Sequence, residues 1–324
     1  MLRSQLALLH GFFGFLFLGA IGCGSGGETG GDLSMGSPGV LAGTFQVTLV
    51  APDAVTGSTG YTSLLGKVSN GPSPSGVLWT VASSMGDCTL LKPRVPFCNT
   101  PCGSSAVCVD DNVCQAYPKS MSVGTVQASG ITTTTGEKEF ALQQVSGAYQ
   151  PASGVSLPFP AFAEGDSIQL KTSGGAYAPM TLRATGIAPL ALTSGTLQIA
   201  PNQGARLSWT AAKDASASSI YVKLDISHHG GTKGMIECTS SDSGALDLPA
   251  GLITDLINLG TAGYPTIVVR RSARPGSAVI APGRVDLVLS STVEQAVSVP
   301  GVVSCTSSAE CPMGKSCQSD LTCK

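Results

Sequence analysis

Two patterns of apolar residues divide this chain. From Leu6 to Ile21 the run is apolar apart from His10, whereas from Gly43 onward apolar and polar residues alternate. Alternation is the period of a strand with one buried face. Phe45, Val47 and Leu49 fall on one side with Gln46 and Thr48 opposite, and Val77, Trp79 and Val81 repeat the scheme. Further strands are predicted over 64–69, 123–128, 138–145, 167–171 and 180–185, with turns at Asn70-Gly71-Pro72, Gly165-Asp166 and Gly174-Gly175 between them. A second block starts near Ala188, with strands over 206–210, 220–226, 235–239, 265–271 and 284–290. Residues 249–259 have another period: Pro249 stands at the first turn, Leu252, Ile253, Leu256 and Ile257 share a side, and Gly260 stops the run, which predicts one short helix. The pattern therefore predicts an all-β chain with two β-sandwich domains, over 43–187 and 188–303.

Composition supports short strands and many turns. Only 12% of the 324 residues are charged, while 41 are Gly and 20 are Pro. The formal charge is −2, and no basic stripe follows a phosphate backbone, so nucleic acid is not an expected partner. The first apolar run follows Arg3 and ends in Gly19-Ala-Ile-Gly-Cys23, the layout of a secretory signal over 1–22. Residues 23–42, rich in Gly and Ser, read as a flexible tether. The string Gly22-x-Gly24-x-x-Gly27 matches a dinucleotide fingerprint only formally, since it follows no strand and opens no helix.

Eleven cysteines is an odd count for an exported chain. Setting Cys23 aside leaves ten, and disulfides are the default state of exported cysteines. Two clusters repeat a spacing: Cys98-x3-Cys102-x5-Cys108-x5-Cys114 over 98–117, and Cys305-x5-Cys311-x5-Cys317-x5-Cys323 over 304–324. Segments this small need staples to stay folded. Zinc is the rival reading, but the C-x-x-C spacing is missing. A working scheme pairs alternate cysteines, Cys98–Cys108, Cys102–Cys114, Cys305–Cys317 and Cys311–Cys323, and leaves Cys88–Cys238 as a bridge between the two domains. The alternative, Cys88–Cys98 with Cys238–Cys305, keeps each bridge within a domain and leaves an odd cysteine in each cluster.

The sequence around Cys23 resembles a bacterial lipobox, with Ala20 where that motif more often has Leu. The resemblance implies that Cys23 carries a lipid and that the chain is anchored in the cell envelope. Several acyl chains on one residue hold a membrane more firmly than one. Gly24 is not the Asp that retains enteric lipoproteins at the inner membrane, which favours the outer one. Arg206-Leu-Ser-Trp-Thr210 followed by Ile220–Ile226 resembles the second and third strands of fibronectin type III or immunoglobulin-like sandwiches, and the predicted helix departs from them. The stretch 66–74 resembles one hairpin of prealbumin-like sandwiches. With Arg94-Val-Pro-Phe-Cys98, Gln115-Ala-Tyr-Pro118, Pro160-Ala-Phe-Ala-Glu-Gly165 and Cys311-Pro-x-Gly-x-x-Cys317, the chain is similar to Cys-rich lipoproteins of myxobacteria and their relatives. That likeness implies location and architecture and brings no activity, cofactor or catalytic residue.

Candidate chemistry is sparse. His228 and His229 end a predicted strand before Gly230-Gly231, where neighbours on extended backbone point to opposite faces, so they share a metal site only if the chain turns. Asp225 and Glu237 are the acids near them. Asp110-Asp111-Asn112 lacks the alternating acids, Gly and distal Glu of a calcium loop and reads as a turn, as does Asp242-Ser-Gly244. Trp79, Trp209 and Tyr221 alternate with polar residues as core aromatics do, although Tyr221 sits on the polar side of its strand. The expected function is a non-catalytic envelope lipoprotein, structural or ligand-binding. Three alternatives stand beside it. A carbohydrate- or protein-binding module needs clustered surface aromatics, a metal-dependent hydrolase needs His228 or His229, and a protease inhibitor needs a protruding loop within 98–114.

Overall fold

The computed structural model of the chain describes residues 40–52, 58–281 and 283–324. The expected signal over 1–22, Cys23 and the tether as far as residue 39 lie outside them. The first strands are β1 (Leu41–Val50) and β2 (Tyr61–Val68), followed by β3 (Leu78–Met85), β4 (Cys88–Arg94), β5 (Ala106–Asp110) and β6 (Val113–Ala116). Next come β7 (Val126–Ser129), β8 (Glu139–Val145), β9 (Ala148–Pro151), β10 (Ser167–Thr172) and β11 (Thr181–Thr185). The later elements are β12 (Leu197–Gln198), β13 (Ala205–Ser208), β14 (Ser218–Asp225), β15 (Met235–Ser241), β16 (Ala245–Leu248), helix α1 (Ala250–Ile257), β17 (Thr266–Ala273), β18 (Gly276–Val279) and β19 (Arg284–Ser298). The described residues are all-β with one short α-helix, as the two periods predict. The tether reading ends two residues too late, because β1 begins at Leu41.

One hydrogen-bonded path runs β11-β10-β7-β8-β9-β2-β1-β19-β17-β14-β15-β4-β3, with β12 and β18 also paired to β19. It folds around two cores. In the first, Phe45, Val47 and Leu49 of β1 meet Ile168 and Leu170 of β10 and Leu287 of β19. This core is closed where β11 lies against β18 and β19. Phe45 is opposite Gly66 in the β1–β2 ladder, and a Cβ on Gly66 would fall 2.2 Å from the Phe45 ring. Glycine on β2 thus makes the space that a fully buried aromatic on β1 fills.

The second core has the strand order of a fibronectin- or immunoglobulin-like sandwich. One sheet runs β15-β14-β17-β19 and the facing pair is β13–β16. Ile220, Val222 and Leu224 of β14 pack with Leu207, Trp209 and Leu248, and α1 covers them with Leu252, Ile253 and Leu256. Pro249 precedes the helix in extended conformation, and the chain turns out of it at Gly260, φ 91°.

The cores do not divide the chain at 187/188 as two separate lengths of sequence. β19 gives Val285 and Leu287 to the first core and Val297 to the second, and β17 likewise contributes to both. All described residues belong to one compact unit. The cysteine insertion is also wider than 98–117. Ser69 bridges to Ser120, and the Asn70 amide donates to the Lys119 carbonyl at 3.1 Å, so everything from 71 to 118 is one excursion with its ends tied together. The stretch 66–74 is accordingly not a hairpin. β3, whose alternation reads as part of the first sandwich, leaves with the excursion and pairs with β4, which in turn pairs with β15 at the edge of the second.

Candidate interaction surface

Gly86, φ 58°, and Asp87 form the two-residue turn between β3 and β4, because Met85 pairs with Cys88 across it. Cys88 is also the register partner of Cys238 on β15, and the two sulfurs are bonded. Both cysteines are buried in the second core, so this bridge lies within one core and not between two domains as the spacing suggests. It fastens an added hairpin to a sandwich edge. The other bridges are Cys98–Cys108, Cys102–Cys114, Cys305–Cys317 and Cys311–Cys323, the alternate pairs of the working scheme. The close groups of three possible metal ligands among the described residues are cysteines of these knots, and every one of their sulfurs is in a disulfide. Zinc therefore finds no thiolate there.

The first knot hangs from β4 by polar contacts. Arg94 forks onto Asp110 and Asp111, with Nη1 donating to Asp111 Oδ2 at 2.9 Å. The Phe97 amide donates to Asp111 Oδ1 at 3.0 Å and the Asn99 amide to Asn112 Oδ1 at 3.0 Å. The Phe97 amide, with Arg94 beside it, holds the Asp111 carboxyl below its usual range. Asn112 takes the left-handed conformation, φ 61°, that Asn tolerates in turns. These acids position a turn, as their sequence suggests.

Apolar exposure concentrates on this excursion. Six of the fourteen well-exposed large apolar side chains among the described residues lie in it: Val81, Met85, Val95, Phe97, Val113 and Tyr117. Val81 and Phe97 are 66% and 69% exposed, and Trp79, two residues before Val81 on β3, is half-buried. β3 ends the sheet path, and among the described residues no strand pairs with its outer edge. Residues 71–86 contain no charged side chain. A groove of about 470 Å³ between β2 and the 150–157 segment is lined by Tyr61, Leu65, Gln150, Val155 and Leu157.

The histidines sit elsewhere. The chain does turn after Ser227: His229 has φ 62°, and its ring centroid lies 3.9 Å from that of His228. Adjacent residues thus share a face, contrary to what extended backbone requires. Glu294 Oε1 is 3.9 Å from His228 Nε2. The acids that sequence proximity offers are engaged elsewhere. Asp225 accepts from the Ser227 amide at 2.7 Å, and Glu237 accepts from the Tyr221 hydroxyl at 2.6 Å. Burial raises the Glu237 pKa. Tyr221 is buried despite its polar side of the strand, with Arg270 stacked 4.7 Å over its ring. The second knot docks on the neighbouring loop, where the Gly263 amide donates to the Asp320 carbonyl at 2.7 Å.

Asp242 lies in the turn between β15 and β16, as its sequence suggests, but its side chain points into the protein. It is fully buried and takes both Nε and Nη2 of Arg271, at 2.5 and 2.9 Å, together with Trp209 Nε1 at 2.8 Å and Ser218 Oγ at 2.7 Å. Arg271 also donates to the carbonyls of Pro189 and Thr210, at 3.0 and 2.6 Å. The pair pins the crossover between the cores to β17. Nothing in the local sequence distinguishes this Asp from a solvated one, and only its strand neighbours give it a partner.

Among the described residues no helix is long and apolar enough to cross a membrane. No protein-family model and no curated protein matches the chain. Among solved structures, the chain is similar to the crystal structure of chicken CNTN1 FN1-FN3 domains at 10% identity, covering 75% of this chain and 71% of that one with a TM-score of 0.18.

Proposed function

We propose that the chain is an exported bacterial lipoprotein, held to an envelope membrane through Cys23, whose β-sandwich body serves as a non-catalytic binding component. The observation that carries this reading is cysteine parity. All ten cysteines from Cys88 onward are paired, and Cys23 is the eleventh. Five bridges favour an oxidising compartment, where such bonds form and persist. A lone cysteine at the end of an apolar leader is then the residue that a lipid would take. The exposed apolar excursion, fastened by two knot bridges and by Cys88–Cys238, supplies the binding face, because patches of this kind mark interaction sites.

Cys23→Ser tests the anchor. Membrane fractions of cells making the full chain should hold the unsubstituted protein and lose the variant, and metabolically supplied labelled fatty acid should enter only the former. Equal labelling or equal membrane retention of both chains contradicts the reading.

A further inference from the structure

The free edge of β3 points to a partner of defined chemistry, an inference that rests on the binding role above. Sheet edges are normally blunted by charge, by proline or by cover, since their unpaired N–H and C=O groups otherwise recruit another strand. The opposite end of the same sheet shows two of these devices. β11 carries Arg183, and β18 lies so close to it that a Cβ on Gly276 would fall 1.7 Å from the Arg183 carbonyl oxygen. β3 carries no charge and has no described strand on its outer side: it is eight residues long, with α1 touching it and a single bulge at Ala82. Its edge calls for an extended backbone at strand spacing, and its lack of charge favours an uncharged, apolar strand.

β3 itself meets that description. We propose that β3 pairs antiparallel with β3 of a second copy, about a two-fold axis at Thr80. In this register Trp79 stands across from Val81 of the second copy on both sides of the axis. Thr80 faces its own equivalent, and no charges are opposed. Aromatic and β-branched residues paired across strands stabilise each other, and Val81, now 66% exposed, becomes covered. The bulge at Ala82 marks where the pairing ends. Such an interface uses the same surface on both copies, so it closes at a dimer.

Thr80→Cys in the full-length chain, produced in cells, tests the axis. A band of doubled mass is expected on a non-reducing gel, absent for Val279→Cys, another exposed strand position on β18, and lost when Val81→Lys is added to Thr80→Cys. Thr80→Cys linking no more than Val279→Cys overturns the proposal. Sedimentation of the unsubstituted chain in detergent provides the second readout, with a dimer expected and a monomer contradicting it, should the cysteine variant not fold. Membrane retention is scored in the same samples. A membrane-held monomer refutes the pairing alone, and a linked chain in the soluble fraction refutes the anchor alone.

Discussion

Asp242→Asn leaves the Arg271 guanidinium buried without its counter-charge, and breaking one side of such a pair costs about 3–5 kcal/mol. Urea unfolding should show that loss as an earlier midpoint. The pH dependence has a defined sign. Burial alone would raise the Asp242 pKa, but the bonds from Arg271, Ser218 and Trp209 outweigh it and hold the carboxyl below its usual value. A depressed folded pKa means that the contribution is complete above the unfolded value of about 4 and is lost as pH falls through the folded one. The unsubstituted chain should therefore weaken in acid by a margin that Asp242→Asn lacks. Gly66→Ala acts through packing. Its methyl would meet the buried Phe45 ring at 2.2 Å, and overpacking of a filled core costs about 1–3 kcal/mol, read as a melting temperature lower by several degrees.

At the scale of elements, Cys88–Cys238 closes a loop of 150 residues and fastens the β3–β4 hairpin to β15. Replacing both cysteines by Ser should lower stability by about 3–5 kcal/mol and make residues 71–118 the first site of limited proteolysis. Unchanged unfolding and an unchanged cleavage pattern would mean that the ladder alone holds the hairpin. The longer strands are legible from alternation and α1 from its apolar spacing, whereas the regular cysteine gaps suggest the knot pairs without excluding the rival scheme. Sheet membership is not legible. The faces of Trp79 and Val81 alternate identically whichever sheet takes the strand, and the parallel union of β1 with β19 joins residues 41–50 to the far end of the chain. Short strands such as β9, β12, β16 and β18 carry too few positions to display a period. The His228–His229 contact depends on one left-handed residue, which residue type permits but does not announce.

At the scale of the whole molecule, five disulfides lock the body, and the lipid proposed on Cys23 would hold it to a membrane. Two cores share β17 and β19, ten cysteines are consumed in pairs, and the apolar excursion remains exposed. The body needs no spanning helix of its own if lipid on Cys23 provides the hold. The intact mass of native protein extracted from membranes, taken with a count of free thiols, tests this most directly. The expected result is a chain beginning at Cys23, heavier than its residues by an attached lipid, with five disulfides and no free thiol. A chain that retains residues 1–22, or begins at an unmodified Cys23, or shows free thiols among the ten cysteines beyond it, contradicts the account.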